Sequence, residues 1–209
     1  MLLFQSASAQ TDAIQLGRLS VRFSPQHLLF KGIHVDVEKS LDAGSRRSIV
    51  FSPRFYAGST RILGAFTQRG DEQEGEVKGY GAEVLHRVYS SETPHDGVYF
   101  AYGVNYHYFD VGFVRHGWLQ QKDDFGLEVY KYREKHFSEK INRWEGTATM
   151  GVQRPFLMDP MLVDLYIGFG YTNSTISSDY GAIRYAVNAY DIGYSGVRVV
   201  GGLKLGLSF

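Results

Sequence analysis

The segment Val197-Arg198-Val199-Val200-Gly201-Gly202-Leu203-Lys204-Leu205-Gly206-Leu207-Ser208-Phe209 decides the fold. Val197, Val199, Gly201, Leu203, Leu205, Leu207 and Phe209 share one face; Arg198, Val200, Gly202, Lys204, Gly206 and Ser208 share the other. Period-two alternation puts successive side chains on opposite sides of a strand. One side of this strand is greasy and the other is charged and small. The fold then turns on which solvent wets the greasy side.

The same alternation recurs upstream. From Met161, the residues Met161, Val163, Leu165, Ile167, Phe169 and Tyr171 oppose Leu162, Asp164, Tyr166, Gly168, Gly170 and Thr172. Val98, Phe100, Tyr102, Val104, Tyr106 and Tyr108 oppose Tyr99, Ala101, Gly103, Asn105 and His107. Trp144, Ala148, Met150 and Val152 oppose Arg143, Glu145, Thr147, Thr149 and Gln153. Earlier, Ile49, Phe51, Phe55 and Ala57 oppose Ser48, Ser52, Arg54 and Tyr56, and Ile33, Val35 and Val37 oppose His34, Asp36 and Glu38. Ala82, Val84 and Val88 oppose Glu83 and Arg87, with Leu85 and His86 reading as a break. The segment from Ile14 to Phe23 is irregular and suggests a bulge near Gly17. Pro53 removes a ladder donor from its strand. These segments make eight strands. A ten-stranded count follows if Ala182 to Ile192 pairs as further strand.

The connections alternate in length. Ser40 to Arg46, Ser90 to Asp96 and Pro155 to Pro160 are short; Gly58 to Lys78, Gly112 to Lys140 and Asn173 to Ser195 are long.

Composition narrows the class. The chain has 209 residues, with Lys plus Arg 22 against Asp plus Glu 22, so it lacks the basic excess of a nucleic-acid binder. Cysteine is absent, which excludes disulfides, thiolate metal sites and a cysteine nucleophile. Glycine (24), tyrosine (15) and phenylalanine (14) are abundant against 5 prolines, which suits a twisted all-β chain. Mean hydropathy is −0.23, and no apolar run reaches the length of a helical membrane span.

A soluble barrel hides its large apolar face. Here the opposite assignment is the more economical one. An eight-stranded barrel has a narrow interior, which small and polar side chains can fill. The aliphatic and aromatic face then needs a lipid solvent, and closure pairs every backbone group as hydrocarbon demands. The expected fold is therefore all-β, a closed antiparallel up-and-down transmembrane barrel. The expected lumen network is Asp36, Glu38, Glu83, Glu145 and Asp164 against Arg54, Arg87, Arg143, Arg198 and Lys204. Equal numbers fit a desolvated interior, where unpaired charge is very costly. Tyr106, Tyr108, Trp144, Phe169 and Tyr171 would form an outer interfacial girdle, and Phe156 and Phe209 an inner one. Ala7-Ser8-Ala9 has the small-x-small form of a cleavage site, so residues 1–9 read as the remnant of an export signal and 10–209 as one barrel domain.

The alternating last strand ending in Phe209, the repeated alternations and Ala7-Ser8-Ala9 resemble the small outer-membrane β-barrel proteins of Gram-negative bacteria, the OmpA-transmembrane and OmpX-like group. Ser24-Pro25-Gln26-His27-Leu28-Leu29-Phe30 with Gly32 to Glu38 is also similar to small barrels of Bacteroidota-type bacteria. The resemblance implies the outer membrane of a Gram-negative bacterium, contact with its lipid and lipopolysaccharide, and recognition of the terminal strand at Phe209 by the barrel-assembly machinery. It carries over no catalytic residue.

The residues themselves offer little chemistry. Gly79-Tyr80-Gly81 and Gly168-Phe169-Gly170 lie in strands, so neither is a phosphate loop. The histidines at 27, 34, 86, 95, 107, 116 and 136 lack metal-ligand spacing. No metal, cofactor or nucleic-acid partner is expected. His107 with Asp110 and Ser174 is the one group that could serve a lipid-modifying enzyme of the lipid A deacylase kind. Trp118, Phe125, Leu127, Val129, Tyr130, Tyr132 and Phe137 lie in the 112–140 connection, where they would meet a partner protein or fold over the barrel mouth. Leu127 to Arg133 alternates, so the flanking strands could extend there as a hairpin. The leading expectation is a structural or interaction role through the outer loops, with a filled lumen and no open pore. The alternatives are the lipid-modifying enzyme, a small-solute channel if the barrel has ten strands, and a soluble lipocalin-like carrier.

Overall fold

The computed structural model describes residues 19–29, 32–41, 46–59, 75–91, 95–156, 160–179, 185–186, 188–189 and 191–209. Its strands are β1 (Leu19–Phe23), β2 (Gly32–Ser40), β3 (Arg47–Ser59), β4 (Glu76–Tyr89), β5 (Gly97–Lys122), β6 (Glu128–Pro155), β7 (Met161–Ser178) and β8 (Gly196–Ser208). One short helix, α1 (Gln26–Leu29), joins β1 to β2. Each strand pairs antiparallel with the next, and β8 pairs with β1 to close the barrel.

The register sets the tilt. Val21 pairs directly with Leu207. Walking the other way through paired residues leads from Val21 to Val37, Phe51, Val84, Val104, Gly146, Tyr171 and Val197. The two routes reach β8 about ten residues apart, a stagger that tilts eight strands by roughly 40°.

Three short connections, Ser40 to Arg46, Ser90 to Asp96 and Pro155 to Pro160, lie at one end, and the short β1–β2 link through α1 lies at the other. Leu41 N donates to Arg47 O (3.0 Å), Ser90 N to Val98 O (2.8 Å) and Phe156 N to Met161 O (2.9 Å), closing the three turns. The other end carries the long connections. There β5 and β6 run far past their neighbours. Their pairing continues to Lys122 and Glu128, whereas β4 leaves β5 at Gly112 and β7 leaves β6 at Glu139. The 112–140 connection is thus a free-standing ribbon whose tip spans only residues 123–127.

Two sequence expectations need correction here. Leu85 and His86 do not break β4. Leu85 turns inward and is 5% exposed, while His86 keeps the outward parity and its Nδ1 lies 3.0 Å from the Tyr102 hydroxyl. A polar ring on the apolar face is satisfied locally by its cross-strand neighbour. The described part of Ala182 to Ile192 forms no strand, and the ring has eight strands. Pro53 leaves no bulge: β2–β3 pairing skips from His34↔Arg54 to Val37↔Phe51 in unchanged register. The suggested bulge near Gly17 and the segment 1–9 lie outside the described residues.

The side-chain pattern inverts along the barrel axis. On β5 the outward residues are apolar or aromatic from Val98 through Tyr108, and the next outward residue is Asp110. Across the strands, Asp110 pairs with Lys78 and Lys140, placing a charged row just beyond the aromatic one. On the inward side the change is opposite. Asn105 and His107 give way to Phe109, Val111 and Phe113, all nearly fully buried. Below the charged row the inward groups are largely polar; above it they are largely apolar, with Glu139 the buried exception, as in a barrel wetted by water. The outward apolar stretch of β5 has about 11 residues, which at this tilt spans roughly 27 Å, close to the usual band of a bilayer-spanning barrel.

Candidate functional site

Strand parity alone brings side chains from all eight strands to one axis. Arg22, Asp36, Glu38, Glu83, Arg87, Asn105, His107, Arg143, Glu145, Gln153, Asp164 and Lys204 are buried inside, with Arg54 and Arg198 half-buried. They form two layers.

The layer nearer the short turns is built around Glu38. Arg22 donates to Glu38, and from the same Nη1 to Gln153 Oε1 at 2.5 Å. The Ser48 hydroxyl donates to Glu38, and the Tyr89 hydroxyl donates to its Oε1 at 2.7 Å. Arg87 Nη1 lies 3.0 Å from Asp164 Oδ2 and 3.4 Å from Glu38 Oε2. Its guanidinium also stacks over the Tyr99 ring at 4.1 Å, while the Tyr99 hydroxyl donates to Asp164 Oδ1 at 2.6 Å. Lys204 donates to Asp36. Glu38 and Asp164 each have both a cation and a neutral donor, and Asp36 has Lys204 with Arg22 Nη2 4.0 Å away, which is how a desolvated ion is compensated.

The second layer sits nearer the long loops. Arg54 donates to Glu83, and Asn105 Nδ2 lies 3.4 Å from the same carboxylate. Arg198 holds Glu145 through Nε (2.7 Å) and Nη2 (2.5 Å), a two-pronged pair. His107 lies between two guanidiniums, with Nε2 3.3 Å from Arg54 and Nδ1 3.3 Å from Arg143. A neutral imidazole has one acceptor nitrogen, so it accepts from one arginine at a time. Arg143 also donates to Ile192 O at 3.1 Å, tying the last loop to the lumen.

The charge count differs from the expected five against five. Arg22 joins the basic set and Glu139, fully buried on the inward face of β6, joins the acidic set, giving Arg22, Arg54, Arg87, Arg143, Arg198 and Lys204 against Asp36, Glu38, Glu83, Glu139, Glu145 and Asp164. Sequence reasoning missed Arg22 because its strand is short and begins in an irregular segment. Tyr99, Asn105 and Gln153 lay on the polar face and could have been included on parity alone. His95 carried no periodic signal, since it belongs to a turn.

Among the described residues, side chains pack at both mouths. At the short-turn end His95, with a positive φ of 60°, is fully buried; its Nε2 lies 3.2 Å from Ser40 Oγ and its Nδ1 3.6 Å from Glu38 Oε1. At the long-loop end Val77, Phe109, Val111, Phe113 and Ile141 from the wall pack with Tyr185 and Ile192 from the last loop. Gly193 N donates to Tyr185 O at 2.7 Å, and a Cβ at Gly193 would come within 2.8 Å of Ile176 Cδ1 and of that same oxygen. Between the mouths lies a cavity of about 290 Å³, bordered by residues that include Arg54, Glu83, Arg87, Glu145, Arg198 and Lys204.

The suggested relay of His107, Asp110 and Ser174 is not assembled. Asp110 lies on the opposite face of β5 from His107 and accepts from Ser138 Oγ at 3.0 Å. Ser174 Oγ donates to Tyr194 O at 3.1 Å. Trp144, Phe169 and Tyr171 are 60–65% exposed on the outside, with the Tyr106 ring tilted against Trp144 (ring centroids 4.8 Å) and Tyr108 tilted against Tyr80 (5.4 Å). Phe209 is 61% exposed at the opposite end. Among the described residues no group of three or more His, Cys, Asp or Glu could hold a metal ion.

Fold and site together define a class: a closed eight-stranded antiparallel barrel with an apolar exterior and an ion-paired lumen. Among solved structures the chain is similar to Acinetobacter baumannii CarO2, with 11% identity and a TM-score of 0.41 over 93% of this chain and 100% of that one. It is also similar to Acinetobacter baumannii CarO, with 10% identity and a TM-score of 0.38 over 93% and 98% of the two chains. No protein-family model and no curated protein matches the sequence.

Proposed function

We propose that the protein is an integral outer-membrane β-barrel of a Gram-negative bacterium that acts through its extracellular β5–β6 ribbon. The inversion of side-chain polarity at the Lys78–Asp110–Lys140 row carries the membrane reading. Val104, Ile167 and Leu205 are 57%, 65% and 42% exposed, whereas Glu145 is 2% exposed. A soluble carrier would require the reverse. The side chains packed at both mouths and the ion-paired lumen support a plugged barrel and not a channel. Lipid and lipopolysaccharide would surround the band, and the terminal strand ending in Phe209 would be the segment read by the assembly machinery.

The ribbon supports an interaction role. Phe125 is 89% exposed, Leu127 65%, Tyr130 63% and Tyr132 59%, at or near the tip of a projection that pairs with no other strand among the described residues. Exposed aromatics on a rigid scaffold suit recognition of a partner protein or surface glycan. Fractionation of cells, with gel mobility compared before and after boiling in detergent, tests the location. The expected result is outer-membrane recovery and a faster-migrating unboiled band. Recovery in a detergent-free soluble fraction would overturn the reading. Binding to whole cells or matrix, compared with a chain in which residues 115–135 are replaced by a tight turn, tests the ribbon.

A further inference from the structure

The β5–β6 ribbon sorts its charges by face. Parity puts His116 and Gln120 of β5 on one face with Glu128, Tyr130, Tyr132 and Glu134 of β6. The acids of that face are engaged locally: His116 Nε2 lies 3.1 Å from Glu134 Oε1, and Gln120 Nε2 donates to Glu128 Oε2 at 2.6 Å. Lys131, Arg133 and Lys135 take alternate positions of β6 on the other face, and all three are exposed. The register sets Arg115 directly opposite Lys135 and Gly117 opposite Arg133. Above the stacked Phe113–Phe137 pair, the strand residues of this second face include no carboxylate. Lys131, Arg133 and Lys135 have no ion-pair partner among the described residues.

This sorting costs the ribbon stability, because like charges along one face or opposite each other across strands repel. Charge that merely keeps a free sheet edge from pairing can have either sign, so edge protection gives no reason to separate the signs. The cationic side is complementary to an anion from outside the chain. Its three cations follow one another about 6.7 Å apart along the strand. A partner with a single acidic group meets one of them; a repeating polyanion meets all three. Arg133 offers a planar fork for a carboxylate, and Gly117 opposite it leaves bare backbone where a sugar ring can lie. Height favours a saccharide. From Lys140 in the charged row the strand runs roughly 17 Å to Lys135 and roughly 30 Å to Lys131, through the layer where membrane-anchored glycans stand.

We propose that the Lys131–Arg133–Lys135 face of the ribbon is a docking surface for an acidic polysaccharide of the cell-surface layer. The inference names a face and a partner class for the interaction role proposed above, and it rests on that reading.

The test uses the full chain in neutral detergent, with a polygalacturonate oligomer as the probe and dextran, poly-glutamate and single-stranded DNA of matched length as comparisons. Titration calorimetry over a salt series gives the affinities. Saturable polygalacturonate binding that weakens with salt is expected, with no binding of dextran and weaker binding of the other two polyanions. Combining Lys131→Gln, Arg133→Gln and Lys135→Gln should weaken polygalacturonate binding about tenfold or more and lower the salt slope by about two to three. Glu128→Gln with Glu134→Gln changes the net charge on the opposite face and should leave binding nearly unchanged. Absence of saturable binding, parent-like binding by the triple variant, or poly-glutamate or DNA binding as tightly as the saccharide would overturn the proposal. Binding that emerges only when Asp71, Glu72 and Glu74 are neutralised would do so too, by giving the face to the chain's own acidic run. Heat-modifiable mobility shows that each variant is an assembled barrel. Loss of whole-cell or matrix binding on replacing residues 115–135, with the triple variant unaffected, would leave the ribbon's role standing and remove this face from it.

Discussion

Arg198 reaches Glu145 across an intervening strand, and Gly170 is the residue that lets it pass. Arg198 lies on β8, directly paired with Gly170 on β7, while Glu145 lies on β6. A Cβ on Gly170 would collide with Glu145 Oε1 and lie 3.1 Å from its Cδ. A lumen of eight strands is narrow enough that one methyl group decides whether an ion pair forms.

Gly170→Ala should therefore destabilise the barrel by about 1–3 kcal/mol, and Gly170→Val by more, because the buried pair is displaced and overpacked at once. Urea titration followed by the boiled-to-unboiled gel shift measures this. Unchanged midpoints for both variants would show that the pair is not held as described.

The Lys204–Asp36 contact predicts a coupling. Lys204→Met and Asp36→Asn should each destabilise strongly, since each leaves a buried partner. The double variant should lose less than the two singles summed, with a coupling of about 1–3 kcal/mol. A double-mutant cycle in the same urea assay gives the number; strict additivity would argue that Arg22 alone satisfies Asp36.

Polarity inversion predicts that one substitution has different effects at two levels of one strand. Val104→Arg, in the middle of the outward apolar band, should cost about 2–4 kcal/mol in bilayer-refolded protein. Val114→Arg, outward but beyond the charged Asp110 row, should stay within about 0.5 kcal/mol of the parent. Equal costs at the two positions would remove the boundary drawn at Tyr108.

Shortening the β5–β6 ribbon should spare the barrel. Among the described residues, 113–122 pair only with 128–137, and the wall beneath them pairs independently. Replacing residues 115–135 by a tight turn should leave heat-modifiable mobility and urea midpoint nearly unchanged while abolishing any surface binding. A chain that no longer assembles would assign the ribbon a folding role instead.

Legibility differed by strand. β5, β6, β7 and β8 announced their faces because outward Val, Ile, Leu and Phe alternate with Gly, Thr and charge over the whole apolar band. β1 stayed obscure because only five residues remain in register before the chain turns inward, too few to show a period. Leu85 misled because a lumen of this width also takes an aliphatic side chain between polar layers, so residue type alone is an imperfect guide to side. Phe109, Val111 and Phe113 sit inside for a related reason: parity persists along β5 while the outward residues change from apolar to charged at Asp110.

The alternation by itself determined most of the strands and which side chains travel together, because period two is a local property of extended backbone; the closed ring decided between eight strands and ten. It also implied a lipid-wetted exterior, because one face of nearly every strand is too apolar for water. Only the closed tertiary structure decided which charges meet. The roughly ten-residue stagger places Arg198 beside Glu145 and Arg22 beside Glu38, over sequence separations that no local pattern encodes.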